Sequence, residues 1–381
     1  MDVEGEPFDR KLSRRDMLRL AGFAAGVTVV AGPAAACGAA AKQVGATTST
    51  AKETGALQVL DWAGYANDMP HHATYAAYLK KYPQNKPQFH FMTNESDALG
   101  KIRSGLKVDL FRPYVGWVEY FAASGLVEPW DPSLISNFNH LNPFMIKAGQ
   151  YQGKQYGIPD DWGFDAILYR SDKVKPAAQS WALLFDDRYA GKIAWFDDLE
   201  MITIAGMHLG AKDPWNQTSA EQDQSKSFLI SKKHLARTYW SSETDLWQSF
   251  GAGDIWIAYA WPNDWVQMKA KGLPVVYMHP SVGQEKPIAW VGMFMLLKGT
   301  PRPSLAHAFV DSWSSKPSAV WLENNYGYGH ANIEARPTSS DLLHALKLTD
   351  PHAVGLPNAY LDRNIPQRAA YAKLWDQVKA A

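Results

Sequence analysis

The chain has 381 residues, and its 38 lysine and arginine residues balance its 38 aspartate and glutamate residues. A neutral chain of this kind has no basic surface for nucleic acid and no acidic tail, so its charge indicates no nucleic-acid partner. Residues 57–381 exceed the size at which a single hydrophobic core keeps growing, so two domains are expected.

Tryptophan and cysteine are the informative parts of the composition. The chain has 16 tryptophans, and such amphipathic rings suit a pocket that must be apolar yet directional, although core packing is the alternative for each of them. Cys37 is the one cysteine. An internal disulfide is therefore excluded, and the body must be held together by its core alone.

Residues 1–36 have the layout of an export signal. A charged leader containing Arg14 and Arg15 precedes residues 20–36, which are almost wholly apolar or small. That run is short for a bilayer-crossing helix, which needs about 20 residues, and Pro33 interrupts it, so a removable signal is favoured over a permanent anchor. The paired arginines resemble the twin-arginine signal of bacteria, with an ordinary secretory leader as the alternative.

The residues around Cys37 resemble a bacterial lipobox, in which small residues precede a cysteine that is lipidated and becomes the first residue after cleavage. The alternative is a small-residue cleavage site with an incidental cysteine. A thioether-linked lipid removes the risk of thiol oxidation outside the cytoplasm, which favours lipidation. Residues 37–56 are mostly small and polar, so they are expected to form a flexible tether between a lipid anchor in the membrane and the body.

The body begins with alternating strands and helices. Strands are predicted at residues 57–60, 88–92 and 108–111, and helices at 67–82, 94–104 and 116–124. The second helix is expected to be capped by Asp97 and the third to end at Gly125. This βαβαβ order predicts a parallel sheet, in which ligands lie outside the carboxyl ends of the strands. The residues arriving there are Asp61, Trp62, Tyr65, Asn94, Glu95, Ser96, Arg112, Pro113 and Tyr114.

The pattern continues more loosely along the rest of the chain. Residues 156–169 and 288–297 are predicted to be extended, and strands are predicted at 193–196 and 255–260. A helix is expected at residues 371–378. No tandem repeat is visible.

Several short motifs, weak singly but specific in their order and spacing, carry a family resemblance. They are Val59 to Tyr65, Asp109-Leu110 with Pro113, Ile158-Pro159 with Trp162-Gly163, Ser180-Trp181 before Tyr189 to Lys192, Asp197-Asp198, Trp261 with Asp264, Trp290, and Gly327-Tyr328 with Asn332. With these motifs the chain resembles the periplasmic spermidine/putrescine-binding proteins of ABC importers, within the extracellular solute-binding proteins.

The resemblance implies an α/β periplasmic-binding-protein fold of type II, with two lobes that are each a parallel-rich sheet flanked by helices. Residues 57–160 and 291–334 would form the N-terminal lobe, and residues 161–290 and 335–381 the C-terminal lobe. A small-molecule ligand would lie in the cleft between the lobes, and closure would present a surface to a membrane permease.

A polyamine site needs ring faces for its methylene chain and cations, and carboxylates for its ammonium groups. By resemblance, Trp62, Tyr65, Trp261, Trp290 and Tyr328 build an aromatic box, and Asp198 and Asp264 pair with ligand amines. The full set of candidate ligand-binding residues is Trp62, Tyr65, Glu95, Tyr114, Trp162, Asp198, Glu200, Trp261, Asp264, Trp290 and Tyr328.

The chain departs from the family pattern at several positions. Gly64, Gly292 and Met201 stand where family members place acids, although Glu200 is adjacent to the last. Arg112 would bring positive charge towards the cleft, so the ligand is expected to be less cationic than a diamine, such as a monocation or a zwitterion. An iron chelate or a sugar in the same fold is a further alternative.

Local roles are the alternative for each of the charged candidates. Asp197, Asp198 and Asp264 could cap the helices that follow them, and Glu95 could complement a helix dipole. Arg112 could instead neutralise a surface acid, either Asp109 or Glu119.

A secreted hydrolase is the competing class of function. The G-x-S-x-G and H-E-x-x-H motifs are absent, and the histidines show no metal-ligand spacing. Ser104 to Lys107 fits the short S-x-x-K pattern, which occurs by chance. The adjacent acids Asp160-Asp161 and Asp197-Asp198 would point in opposite directions on an extended segment, so neither pair could supply two carboxylates to one site. The sequence therefore predicts an exported, monomeric solute-binding lipoprotein without enzymatic activity, cofactor or metal.

Overall fold

The computed structural model describes residues 53–62, 65, 73–335, 342, 346 and 359–381. The predicted export signal, the candidate lipidation site Cys37 and the position of Gly64 lie outside the described residues. Within the described residues, no helix has the length and apolar character that crossing a bilayer requires.

The secondary structure is mixed throughout. The strands are β1 Gln58–Trp62, β2 Gln88–Met92, β3 Leu110–Phe111, β4 Val127–Glu128, β5 Gln150–Tyr151, β6 Lys154–Gln155, β7 Gly157–Arg170, β8 Ile193–Phe196, β9 Ala236–Trp240, β10 Ile257–Ala260, β11 Val275–Met278, β12 Ile288–Leu297, β13 Gly329–His330 and β14 Tyr360–Leu361. The α-helices are α1 Ala76–Lys81, α2 Glu95–Arg103, α3 Val118–Ser124, α4 Pro143–Ala148, α5 Glu200–Leu209, α6 Ser219–Lys232, α7 Glu243–Ala252, α8 Pro262–Ala270, α9 Pro303–Trp313, α10 Lys316–Tyr326 and α11 Arg368–Ala380.

One large sheet runs through the body in the order β2-β1-β3-β12-β7-β10-β8-β9. At one end of this order β1 pairs in parallel with β2 and β3. At the other end β8 pairs in parallel with β9 and β10. The predicted parallel arrangement of the first three strands is thus confirmed, and a second parallel group lies at the opposite end of the sheet.

Two long antiparallel strands, β7 and β12, join the two parallel groups. Strand β12 pairs with β7 from Ile288 opposite Asp165 to Met295 opposite Gly157. The remainder of β7, from Ala166 to Tyr169, pairs with β10. Every residue of β12 is buried, as expected for a strand that is covered on both faces and reads as a continuous apolar run.

The predicted elements agree with the structure at most positions. The strands expected at 193–196 and 288–297 have those bounds, and α3 ends at Gly125 in the left-handed conformation with φ of 70°, which a glycine adopts without strain. The cap of α2 is Asn94 rather than Asp97, because the Asn94 side chain accepts a hydrogen bond from the backbone N–H of Asp97.

Candidate functional site

A cavity lies at the carboxyl ends of strands from both parallel groups. Trp62 at the end of β1, Glu95 after β2 and Tyr114 after β3 line one side. Asp198 after β8 and Trp261 after β10 line the other side. The expectation that these strand ends converge on one site is therefore met by residues from both ends of the sheet.

Aromatic rings form the walls of this cavity. The Trp62 and Tyr114 rings stack with centroids 4.9 Å apart, and Tyr114 lies 5.1 Å from Trp290. The edge of Trp261 meets Trp62 at 6.3 Å. The Trp62 indole donates a hydrogen bond of 3.0 Å to the backbone carbonyl of Arg112, which fixes the ring at the end of β1.

The cavity is strongly acidic. Five carboxylates and a single guanidinium are among the side chains that line it: Glu95, Asp165, Asp198, Glu200, Asp362 and Arg368. The Arg368 guanidinium lies over the ring of Trp117, 3.6 Å from its centroid. A cation is the complementary ligand for such a lining.

The carboxylates that line the cavity differ in the hydrogen bonds that they accept from the protein. Glu95 accepts a hydrogen bond of 2.9 Å from the backbone N–H of Tyr114, and Asp198 accepts one of 3.0 Å from that of Glu200. Glu200 itself accepts a 2.6 Å hydrogen bond from the hydroxyl of Tyr259. The Oδ1 atom of Asp165, in contrast, has no hydrogen-bond partner among the described residues.

Burial and mutual repulsion hold the carboxyl groups towards their neutral forms. Burial raises the pKa of Glu95 to about 7 and that of Asp198 to about 6, with neighbouring acids adding to each effect. Burial also raises the pKa of Asp165 and of Glu200 well above the ordinary value. A bound cation would reverse this effect, because an opposite charge favours the ionised form.

A second cavity shares Trp62, Tyr114 and Trp261 with the first. Tyr65 and Tyr328 line this second cavity and not the first. The Tyr65 ring also stacks on Tyr326 with centroids 5.5 Å apart. The five rings of the expected aromatic box are therefore distributed over two adjoining cavities.

Two of the candidate residues lie outside both cavities. The carboxylate of Asp264 accepts hydrogen bonds of 2.7 Å from the backbone N–H of Trp261 and from the indole of Trp247. The capping role that the sequence left open for Asp264 is thus the one that the structure shows. Trp162 is buried, and its ring packs edge-on against Phe164 at 5.6 Å.

The expectation that Arg112 brings positive charge towards the cleft is wrong. Its guanidinium is fully buried and holds Asp61 through two hydrogen bonds of 2.9 and 3.1 Å, and it also pairs with Asp160. It stacks on the ring of Tyr65, 3.4 Å from the centroid. Arg112 therefore neutralises two buried acids behind the aromatic wall, and it neither reaches the cavity as a carboxylate-binding group nor pairs with Asp109 or Glu119.

Gly292 and Met201, two of the positions where the resemblance leads one to expect acids, have structural explanations, whereas Gly64 lies outside the described residues. A Cβ atom at Gly292 would overlap the carboxylate of Asp161, which occupies that space and accepts a hydrogen bond from the Tyr65 hydroxyl. Met201 is buried inside α5, whereas Glu200 one residue earlier faces the cavity.

Asp165, Asp362 and Arg368 are cavity residues that the sequence did not single out. Asp165 could have been recognised from the sequence. It lies inside a long, largely apolar strand, and burying an acid there is costly, which points to a functional role. Asp362 and Arg368 flank an irregular segment near the C-terminus, and no local pattern points to them.

A family model described as "Bacterial extracellular solute-binding protein" matches residues 94–342. The chain is 23% identical over 308 residues to the putrescine/cadaverine-binding protein of Pseudomonas aeruginosa, covering 76% of this chain and 85% of that protein. The crystal structure of the Tp0655 (TpPotD) lipoprotein of Treponema pallidum has a TM-score of 0.69 with 17% identity, covering 85% of this chain and 99% of that one. That of the PBP MotA from A. tumefaciens B6 in complex with glucopine has a TM-score of 0.70 with 15% identity, covering 85% and 99%. The likeness to these structures confirms the two-lobed α/β fold expected from the sequence.

Proposed function

Because this chain belongs to the family of bacterial extracellular solute-binding proteins, we propose that it captures a polyamine or a related amine between its two lobes. It then delivers this ligand to the membrane permease of an ABC importer. The observation that carries the proposal is the excess of carboxylates in a cavity walled by tryptophan and tyrosine rings. Such rings accept methylene groups and cations together, and each cation–ring contact contributes about 0.5–2 kcal/mol.

An organic cation suits this lining better than a metal ion. Among the described residues, no group of three or more histidine, cysteine, aspartate or glutamate side chains is arranged to hold a metal. The acids share the cavity with aromatic walls, which matches a ligand that combines ammonium groups with methylene groups.

The acid content of the cavity favours a fully cationic amine over the monocation or zwitterion that the sequence suggests. Asp165 and Asp362 add carboxylates that the sequence-based count omitted, and Arg112 is already neutralised by Asp61 and Asp160. A relative named as a putrescine/cadaverine-binding protein supports the same ligand class.

The cellular setting extends this proposal. Residues 1–36 would direct export by the twin-arginine route, and Cys37 would carry the lipid that anchors the protein to a membrane, as a periplasmic or cell-surface lipoprotein. Residues 37–56 would let the monomeric body move over the membrane surface to reach its permease.

The lobes proposed here are residues 57–160 with 291–334 and residues 161–290 with 335–381. This division is supported by the position of Asp165, near which β7 leaves β12 and continues beside β10. Ligand-driven closure about these strands would be of the hinge type, in which a few residues absorb the change.

The direct test is to identify the small molecule that co-purifies with the body from its native host, by mass spectrometry under non-denaturing conditions. We expect a diamine or triamine at one molecule per protein. Recovery of a sugar or an iron chelate in its place, together with no calorimetric response to any amine, would contradict the proposal. Accumulation of a reaction product beyond one per protein would instead show an enzyme.

A tryptophan variant links the ligand to the cavity. Intrinsic fluorescence should respond to micromolar 1,4-diaminobutane, and Trp261→Ala should abolish this response because it removes a wall shared by both cavities. Trp256→Ala is the matched control, since Trp256 is half-buried beneath Lys192 and lines neither cavity. Equal responses from the two variants would contradict the assignment of the site.

A further inference from the structure

One carboxylate oxygen that lines the acidic cavity, Oδ1 of Asp165, is buried without a hydrogen-bond partner among the described residues, although Tyr259 and Trp261 lie beside the carboxyl group as donors. Asp165 is 3% exposed and lines the cavity. Glu95, Asp198 and Glu200 each accept at least one hydrogen bond from the protein. A buried carboxylate oxygen left without a donor is costly, so Asp165 has an acceptor site to offer to a ligand.

The charged and titratable groups around Asp165 do not neutralise it. Asp362, Asp198 and Glu200 act on it as further acids, while Tyr259 and Trp261 are hydrogen-bond donors beside it. The other titratable groups near it are Tyr277 of β11, Tyr114, Glu95, and Arg368 of α11, which is the base among the described residues that line the cavity. The described lining thus holds more carboxyl groups than bases, and an added cation would favour the ionised forms of those carboxyl groups.

The position of Asp165 in the fold separates it from the acids expected on family grounds. It lies on β7, opposite Ile288 of β12, whereas Asp198 and Glu200 lie at the start of α5. A ligand that reaches Asp165 as well as the α5 acids meets carboxylates attached to two different elements. A diamine can place one ammonium group at each element, whereas a monoamine has one ammonium group for all of these acids.

On the premise that the cavity binds an amine, we infer that Asp165 is a specificity-determining residue, which pairs with a second ammonium of the ligand and releases a proton to solvent when it does so. The ammonium keeps its own protons and the carboxyl group loses one, so the charge gained by the site is balanced by the proton taken up by the buffer. The raised pKa of Asp165 is consistent with a carboxyl group that is protonated before the cation arrives.

Three ligands of equal chain length test this role: 1,4-diaminobutane, 1-aminobutane and 4-aminobutyrate. Calorimetry at pH 7 in two buffers with different enthalpies of ionisation gives both the affinity and the number of protons released. Asp165→Asn keeps the shape of the side chain but removes the charge. It should weaken diaminobutane binding about 10- to 100-fold and aminobutane binding less than about 3-fold, the range expected for loss of one charge-assisted pair.

The proton count distinguishes this role from a structural one. Wild-type protein should release protons on binding diaminobutane, and Asp165→Asn should release fewer, by up to about one. Asp197→Asn is the matched control, because Asp197 binds Trp375 and Lys379 and lines neither cavity. It should leave affinity and proton release unchanged.

Three outcomes are informative. Equal weakening of diaminobutane and aminobutane binding, or an unchanged proton count in Asp165→Asn, overturns the role of Asp165 while leaving the amine site intact. Failure of the wild-type protein to bind any amine overturns the proposed function itself. If the variant does not fold, the wild-type protein decides the matter, since the inference requires diaminobutane to bind more tightly and to release more protons than aminobutane, and equal values for the two ligands overturn it.

Discussion

At the scale of single residues, Arg112 compensates the cost of burying two acidic side chains. Asp61 and Asp160 lie on different strands and are both almost fully inaccessible to solvent, as is the guanidinium between them. Burial raises the pKa of Asp61 to about 6 although Arg112 acts in the opposite direction. Because one guanidinium is held between two buried carboxyl groups, the integrity of this cluster depends on all three of its members.

Removing Arg112 should destabilise the protein severely. Arg112→Met would leave two buried carboxylates without their cation, which costs about 3–5 kcal/mol in comparable buried pairs. Urea unfolding followed by tryptophan fluorescence measures this loss. Lys101→Met is the control, because Lys101 is 40% exposed in an i,i+4 pair with Asp97, and such a pair contributes only about 0.3–0.5 kcal/mol. A similar midpoint for the two variants would disprove the structural role of Arg112.

Cavity-lining residues at strand ends could be predicted from the sequence. A residue whose side chain is hydrogen-bonded to nearby backbone could not be told apart from them. Trp62, Glu95 and Asp198 lie where the carboxyl ends of their strands place them. Asp264 follows β10 in the same way, but a local hydrogen bond to the N–H of Trp261 competes for its carboxylate. Capping and ligand binding use the same residue types at the same turns, so sequence alone leaves both roles open.

At the scale of elements, strand β7 combines three functions. It joins the two parallel groups of the sheet, it carries the buried acids Asp160, Asp161 and Asp165, and it packs against the ring of Trp290. The contact with Trp290 depends on Gly163, because a Cβ atom there would lie 2.5 Å from the Cζ2 atom of that ring.

Gly163→Ala should therefore weaken both folding and ligand binding. The added methyl group must displace Trp290 or Pro262, and overpacking of this kind costs about 1–3 kcal/mol. Thermal unfolding and diaminobutane titration measure the two effects. Gly100→Ala on α2 is the control, since no atom lies within 4 Å of its Cβ position and alanine favours a helix. A neutral result for Gly163→Ala would show that the ring is free to move.

The order of strands and helices was predictable because apolar runs and capping residues are local signals. Sheet pairing was predictable only for the first βαβαβ unit, where short crossovers impose parallel neighbours. The pairing of β12 with β7 joins residues more than a hundred positions apart, and nothing in either strand specifies its partner. The composition of the cavity depends on that pairing, which explains why Asp165 was missed.

At the scale of the whole molecule, the buried acids make stability depend on pH. Burial raises the pKa of Glu95, Asp161 and Glu323 to about 7 and that of Asp198 to about 6. Because the folded state prefers the neutral forms, the stability that these groups contribute is complete below their ordinary pKa near 4. It is lost as the pH rises to about 7.

The melting temperature of the unliganded body should therefore fall between pH 5 and pH 8. Saturating diaminobutane should restore more stability at pH 8 than at pH 5, because the ionised carboxylates bind the cation more tightly. Differential scanning calorimetry over this pH range measures both trends. A melting temperature that rises steadily to pH 8 without ligand would contradict the assignment of these groups.

The contact between Gly292 and Asp161 bears on how specificity is compared between family members. A side chain at residue 292 and the carboxylate of Asp161 compete for one volume, so the acidic group lies on β7 and the neighbouring strand β12 carries a glycine beside it. Ligand preference in such receptors is better compared by the location of charge in three dimensions than by residue identity at matched positions.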